Sequence, residues 1–185
     1  MRTLESISRR KSVRTYTPKI IEADVIKDIV EAGNMAAKAG SIQFHVITNP
    51  EVLNMISKSG KTVMLNSGND FLVKAASNPN YSPIYNAPVM VIVSAETSSD
   101  EYQKSMYIAN AACAAENMLL AATDKGLGSC YLVSATLAFA IPEVKAAAAI
   151  DSKLDPICSV VFGYSEDTTP HAPRNNNPDN IHYIK

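Results

Sequence analysis

Residues Arg9 to Tyr16 read RRKSVRTY and gather four cations and a serine hydroxyl within six positions, just after a short apolar start. Arg carries a planar fork of N–H donors, Lys a mobile point charge and Ser a short hydroxyl. Together they can surround a phosphate dianion with charge-assisted hydrogen bonds, each contributing roughly 1.5–3 kcal/mol. The same run also fits a solvated basic face, and spacing alone does not separate the two. Elsewhere the chemistry-bearing residues are sparse. His45, His171 and His182 are scattered without metal-ligand spacing, which assigns them structural or surface roles and predicts no metal site. Cys130 has no base or cation beside it in sequence and reads as a small core residue. No Ser, His and Asp arrangement stands out.

These residues need a scaffold, and the 185-residue chain is long enough to bury a sizeable core as one domain. Lys and Arg number 17 against 18 acidic residues, so the basic run is local. The net charge of −1 gives no reason to expect nucleic acid or an anionic membrane as partner. Three cysteines, Cys113, Cys130 and Cys158, are odd in number and suit a reducing compartment. MRTLESISRR has no signal-type apolar core and no apolar run reaches membrane-spanning length, which predicts a cytoplasmic protein.

Helical spacing of Ile21, Val25, Ile29 and Val30 predicts a helix from Glu22 to about Ala37, after a short one over Thr3 to Arg9. The basic run is then the connection between them. Gln43 to Thr48 is β-like, Pro50 opens a helix to about Ser59, and Val63 to Ala76 favours helix. Pro88 to Ala95 (PVMVIVSA) and Pro156 to Gly163 are apolar and β-branched, as strands covered on both faces require. The Ala-rich stretch from about Asp100 to Lys125 predicts a long, closely packed helix, within which Glu116 needs a partner or cap. Gly126 and Gly128 end it, Cys130 to Val133 enters a strand, and helical turns interrupted at Pro142 follow to Ala149. Strands separated by long helices make an α/β or α+β sandwich around one sheet. From Ser165 onward the chain is polar, rich in Pro and Asn, and ends with Ile181, Tyr183 and Ile184. An extended arm stays ordered only by pairing with a sheet edge of its own or a neighbouring subunit.

RRKSVRTY, YNAPVMVIVSAE at Tyr85 to Glu96, ENMLLAATDKGLGSCYL at Glu116 to Leu132, and FGY at Phe162 to Tyr164 stand in one order along the chain. In these four segments the chain resembles the FMN-dependent nitroreductase family. The resemblance implies an α+β, three-layer α/β/α sandwich with a central mixed sheet, and a C-terminal arm (165–185) exchanged in a homodimer. It implies FMN at two intersubunit sites, NADH or NADPH as reductant, and ping-pong hydride transfer through flavin N5. The acceptor would be a nitroaromatic, quinone or similar electron-poor compound. Arg10, Ser12 and Arg14, with Lys11 beside them, would grip the flavin phosphate, joined by Arg174 from the HAPRN stretch. Ser41 and Gln43 would reach the ribityl or pyrimidine side, Asn80 the pyrimidine edge. Leu132, Val133 and Ser134 would run beneath the ring, with the Val133 N–H nearest N5.

Two departures stand against the family pattern. The Pro-Ser-x-x-Asn-x-Gln contact segment reads AKAGSIQ over Ala37 to Gln43, so that Gln43 is its matching polar residue. Pro83 stands where some relatives carry Lys; losing a cation there lowers the flavin potential unless another donor compensates. No side-chain acid is assigned, since the proton can come from solvent. A non-catalytic flavin-binding or sensor protein, or a flavin-dependent dehydrogenase or dehalogenase on the same scaffold, remains open at this level.

Overall fold

A computed structural model describes residues 2–167, 169 and 177–184. Along them run α1 (Thr3–Arg9), α2 (Ala23–Asn34), β1 (Gln43–Ile47), α3 (Pro50–Leu65) and α4 (Asp70–Ala76). There follow β2 (Val89–Glu96), α5 (Glu101–Asp124), β3 (Gly128–Leu132), a 3-10 turn (Ser134–Ala140), α6 (Pro142–Ala147), β4 (Leu154–Gly163) and a 3-10 turn at Pro178–Asn180. The four strands form one sheet in the order β1-β2-β4-β3, and every ladder between them is antiparallel. Among the described residues the parallel element is a single bridge between Ser12 and Ser129.

The apolar runs of β2 and β4 serve two cores because successive side chains point to opposite faces. Val89, Val91, Val93, Cys158, Val160 and Phe162 face α2 and α5, whereas Met90, Ile92 and Val161 face α3, α6 and the first 3-10 turn. All seven positions from Val89 to Ala95 are buried, as the unbroken apolar pattern requires. Helices on both faces of one sheet complete three layers.

Helix α5 buries a stripe of Ala111, Ala114, Ala115, Met118 and Ala122. Its small residues let α2 approach so closely that a Cβ at Gly33 would lie 2.7 Å from Met118 Cγ. The Val63 to Ala76 stretch is two helices. Gly68, at φ +68°, turns the chain after α3, and Asn69 Oδ1 caps α4 by accepting from Phe71 N (3.1 Å) and Leu72 N (3.2 Å). Helix α3 continues to Leu65 rather than ending near Ser59 because Ile56, Gly60 and Met64 carry its buried stripe onward. In the described part of the arm, Ile181, Tyr183 and Ile184 are exposed.

Candidate functional site

The connection from Arg10 to Tyr16 lies against the start of β3, and its extended backbone sorts alternate side chains to opposite sides. The Val13 N–H donates to the Ser129 carbonyl (2.9 Å), and the buried Val13 side chain rests directly on Gly128. Lys11 shares Val13's side. Its Nζ donates to the Asp167 and Thr169 carbonyls and lies 3.1 Å from the Asp167 carboxylate, so it ties down the start of the arm. Thr169 and Lys11 together hold the Asp167 carboxyl below its usual range.

Arg10, Ser12 and Arg14 take the opposite side and converge on Cys130. Burial raises the Cys130 thiol pKa, opposed by Arg14, by a hydrogen bond with Ser12, and by Arg10. Arg10 Nε is also 3.3 Å from Glu116 on the outer face of α5. Glu116 is half exposed rather than buried, so solvent and Arg10 share the work of satisfying it. The structure therefore divides the basic run: three residues on the β3 side, Lys11 on the arm.

A tyrosine cluster borders these cations. The Tyr85 ring centroid lies 5.9 Å from Arg14 Cζ, and a Tyr85 hydrogen bond raises the Arg14 pKa. Tyr81 meets Tyr85 edge to face with centroids 6.2 Å apart, and its pKa, raised by burial, is partly lowered again by a hydrogen bond with Ser134. The Tyr16 hydroxyl donates to the Val13 carbonyl at 2.7 Å, and burial raises its pKa as well. Asn80 lies exposed in the same loop, its N–H on Asn78 Oδ1 at 2.9 Å. Ser134, the partner of Tyr81, opens the 3-10 turn just past β3, where Leu132 is buried and Val133 is 55% exposed.

Helix α3 fixes this loop. Lys61 Nζ donates to the carbonyls of Asn78 (2.8 Å), Pro79 (3.0 Å) and Tyr81 (3.2 Å). Ser57 and Ser82 hydroxyls bond at 2.9 Å, and Ser82 Oγ accepts from the Ile84 and Asn86 N–H groups. No sequence signal marks Lys61, because its partners are main-chain carbonyls that any residues would supply.

Ser41 and Gln43 lie elsewhere. Gln43 starts β1 at the sheet edge opposite β3, three strand steps away, or roughly 14 Å at about 4.8 Å per step. Next to Ser41, the segment is pinned to α5 by Asn110, which donates to the Ala39 carbonyl (2.7 Å) and accepts from its N–H (3.2 Å). Arg174 and His171 lie outside the described residues. His45 is held between Ser94 Oγ at 2.7 Å and the Ala149 carbonyl, a structural role. A cavity of about 780 Å³ between α2, α3 and the 84–89 stretch is lined by Ile20, Ile26, Leu53, Ile84 and Pro88 and includes no Lys or Arg, so it offers a phosphate no cation. Among the described residues, no three His, Cys, Asp or Glu side chains assemble as metal ligands. Nor is any helix long and apolar enough to cross a membrane.

The profile of the Nitroreductase family matches residues 7–164. The chain belongs to that family. This nitroreductase-family match spans the basic connection, the tyrosine loop and the end of β3, and stops where the arm begins. A crystal structure of a nitroreductase with bound FMN from Bacteroides fragilis superposes with a TM-score of 0.86 at 28% identity, over 100% of both chains. An Archaeoglobus fulgidus protein with the provisional name NADH dehydrogenase/NAD(P)H nitroreductase is 26% identical over 98% of this chain and 97% of its own. An FMN reductase (NADPH) of Bacillus subtilis is 25% identical over 70% of this chain and 53% of its own.

Proposed function

We propose that the chain is an NAD(P)H-dependent FMN oxidoreductase, acting as one domain with an extended arm from Ser165. The observation that carries this reading is the convergence of Arg10, Ser12 and Arg14 around Cys130 of β3, the strand that leads on to the exposed Val133. The donor set suits FMN: two guanidinium groups and a hydroxyl for the phosphate, with Leu132, Val133 and Ser134 as a floor for the ring. The FMN-bound B. fragilis relative supports the same ligand. The chemistry supplied by bound FMN is hydride transfer through N5 in ping-pong order, from NADH or NADPH to a nitroaromatic, quinone or similar electron-poor acceptor.

The chain's own residues bind and orient. Arg10, Ser12 and Arg14 neutralise the phosphate, Asn80 faces the pyrimidine edge, and Tyr81 and Tyr85 wall the phosphate side. Lys11, committed to Asp167 and Thr169, orders the arm rather than the phosphate. Ser41 and Gln43, on the far sheet edge, reach a flavin only from a second copy, which supports a homodimer with two intersubunit sites. The exposed Ile181, Tyr183 and Ile184 supply apolar surface for the arm to embrace that copy. The free thiols Cys113, Cys130 and Cys158 support a reducing, cytoplasmic setting.

Steady-state oxidation of NADH and NADPH against a panel of nitroaromatics and quinones tests the assignment. Turnover with at least one acceptor supports it, and flavin binding without turnover replaces it with a sensor. Mixing Arg14→Ala with Gln43→Ala protein tests the shared site, since a mixed dimer regains one intact pocket.

A further inference from the structure

We propose that Tyr85 is a positioning residue that orders Arg14 for the flavin phosphate; this rests on the FMN reading above. Arg14 is solvent-exposed, and a free guanidinium on a long side chain gives up rotamer freedom when it grips an anion. Its main-chain neighbourhood does little to hold it, since Arg14 Nη1 reaches the Ser12 carbonyl at 3.5 Å, the limit of a hydrogen bond. Tyr85 supplies what is lacking: a ring face 5.9 Å from Arg14 Cζ, and a hydroxyl oxygen able to accept from the guanidinium, the interaction that raises the Arg14 pKa.

The backbone that delivers Tyr85 is itself unusual. Tyr85 and Asn86 stand at φ 53° and 54°, two successive non-glycine residues in the left-handed region, which costs free energy and persists only where surrounding structure enforces it. The enforcement is visible. Ser82 Oγ accepts from the N–H groups on both sides of Tyr85, Ser57 anchors Ser82, Lys61 clamps the preceding carbonyls, and Ile84 and Ala87 are buried on either side. Tyr81, set edge to face against Tyr85, limits its ring from the other side. This turn aims one phenol at one guanidinium.

The test compares FMN with riboflavin, which lacks the phosphate, by flavin fluorescence titration of wild type, Tyr85→Phe, Tyr85→Leu, Arg14→Ala and the Tyr85→Phe/Arg14→Ala double variant. The expected result is FMN affinity about tenfold or more weaker for Arg14→Ala. Tyr85→Phe, which keeps the ring, weakens FMN by about three- to tenfold, and Tyr85→Leu weakens it further. Riboflavin affinity stays within about twofold throughout, and Tyr85→Phe adds nothing once Arg14 is gone. The inference is overturned if Tyr85→Phe leaves FMN affinity unchanged, if riboflavin weakens equally, or if the two substitutions are additive. Wild-type protein without FMN affinity overturns the oxidoreductase reading itself, and this inference with it.

Discussion

Gly128→Ala is expected to weaken FMN binding through a side chain that never touches the cofactor. A Cβ at position 128 would lie 2.8 Å from Val13 Cγ1, 3.0 Å from Val13 Cβ and 3.1 Å from Val13 Cγ2. No rotation about χ1 relieves this, because Val13 Cβ itself is too close. Restoring ordinary contact at about 3.5–4.0 Å requires the connection to move by roughly 1 Å. That shift strains the Val13 N–H bond to the Ser129 carbonyl and carries Ser12 and Arg14 with it. Overpacking of this kind costs about 1–3 kcal/mol. Restricting the unfolded chain offsets about 0.4–1 kcal/mol. The net loss of about 1–2 kcal/mol lowers Tm by roughly 3–6 °C for a chain of this size. Losing one charge-assisted phosphate contact weakens FMN by about ten- to a hundredfold. Differential scanning fluorimetry and FMN titration read the two effects, and Gly128→Ala/Val13→Ala, which vacates the contested space, recovers much of the affinity. Wild-type Tm and FMN affinity in Gly128→Ala would refute the argument that the connection is registered by this contact.

Lys11→Met is expected to leave FMN affinity within about twofold, because its charge serves Asp167 and Thr169 rather than a phosphate, while limited proteolysis after Ser165 accelerates. A loss comparable to that of Arg14→Ala would return Lys11 to the phosphate site. His45 adds a pH dependence. Burial lowers its folded pKa, so between that value and the unfolded value near 6.5 the unfolded chain binds more protons. Stability is fully present above about pH 6.5 and declines as pH falls toward the folded pKa. Chemical denaturation from pH 7.5 to 5 checks this: His45→Gln removes that part of the slope, and identical slopes in both proteins refute the assignment.

The layered fold was legible wherever one pattern dominated. PVMVIVSA and the Ala-rich stripe of α5 each have a single way to bury their apolar surface, and both elements form within one or two residues of expectation. The break at Gly68 was written in NSGND (Asn66 to Asp70), a turn-type cluster with Asn69 as the cap of the next helix, but reading Val63 to Ala76 as one stretch let the apolar residues on either side outweigh it. In the site, the basic run stood out in the sequence as a candidate phosphate cradle, but its division was hidden because it depends on what the far end of the chain brings to Lys11. Tyr85 was one aromatic residue among several. The role proposed for it rests on a backbone conformation held by Ser57, Ser82 and Lys61, and no local pattern encodes that. Glu116 misled by its surroundings: the helix is a core element, yet position 116 falls on the outward face.

The central claim is that this protein carries FMN and passes electrons through it. A visible absorption spectrum of freshly purified protein under anaerobic conditions, before and after NADH or NADPH, with identification of the chromophore released on denaturation, tests it most directly. Oxidised-flavin bands that bleach on adding reductant, with FMN as the released compound, are the expected result. A colourless protein that also fails to take up added FMN would contradict it, leaving Arg10, Ser12 and Arg14 as a solvated cluster on a nitroreductase-family scaffold.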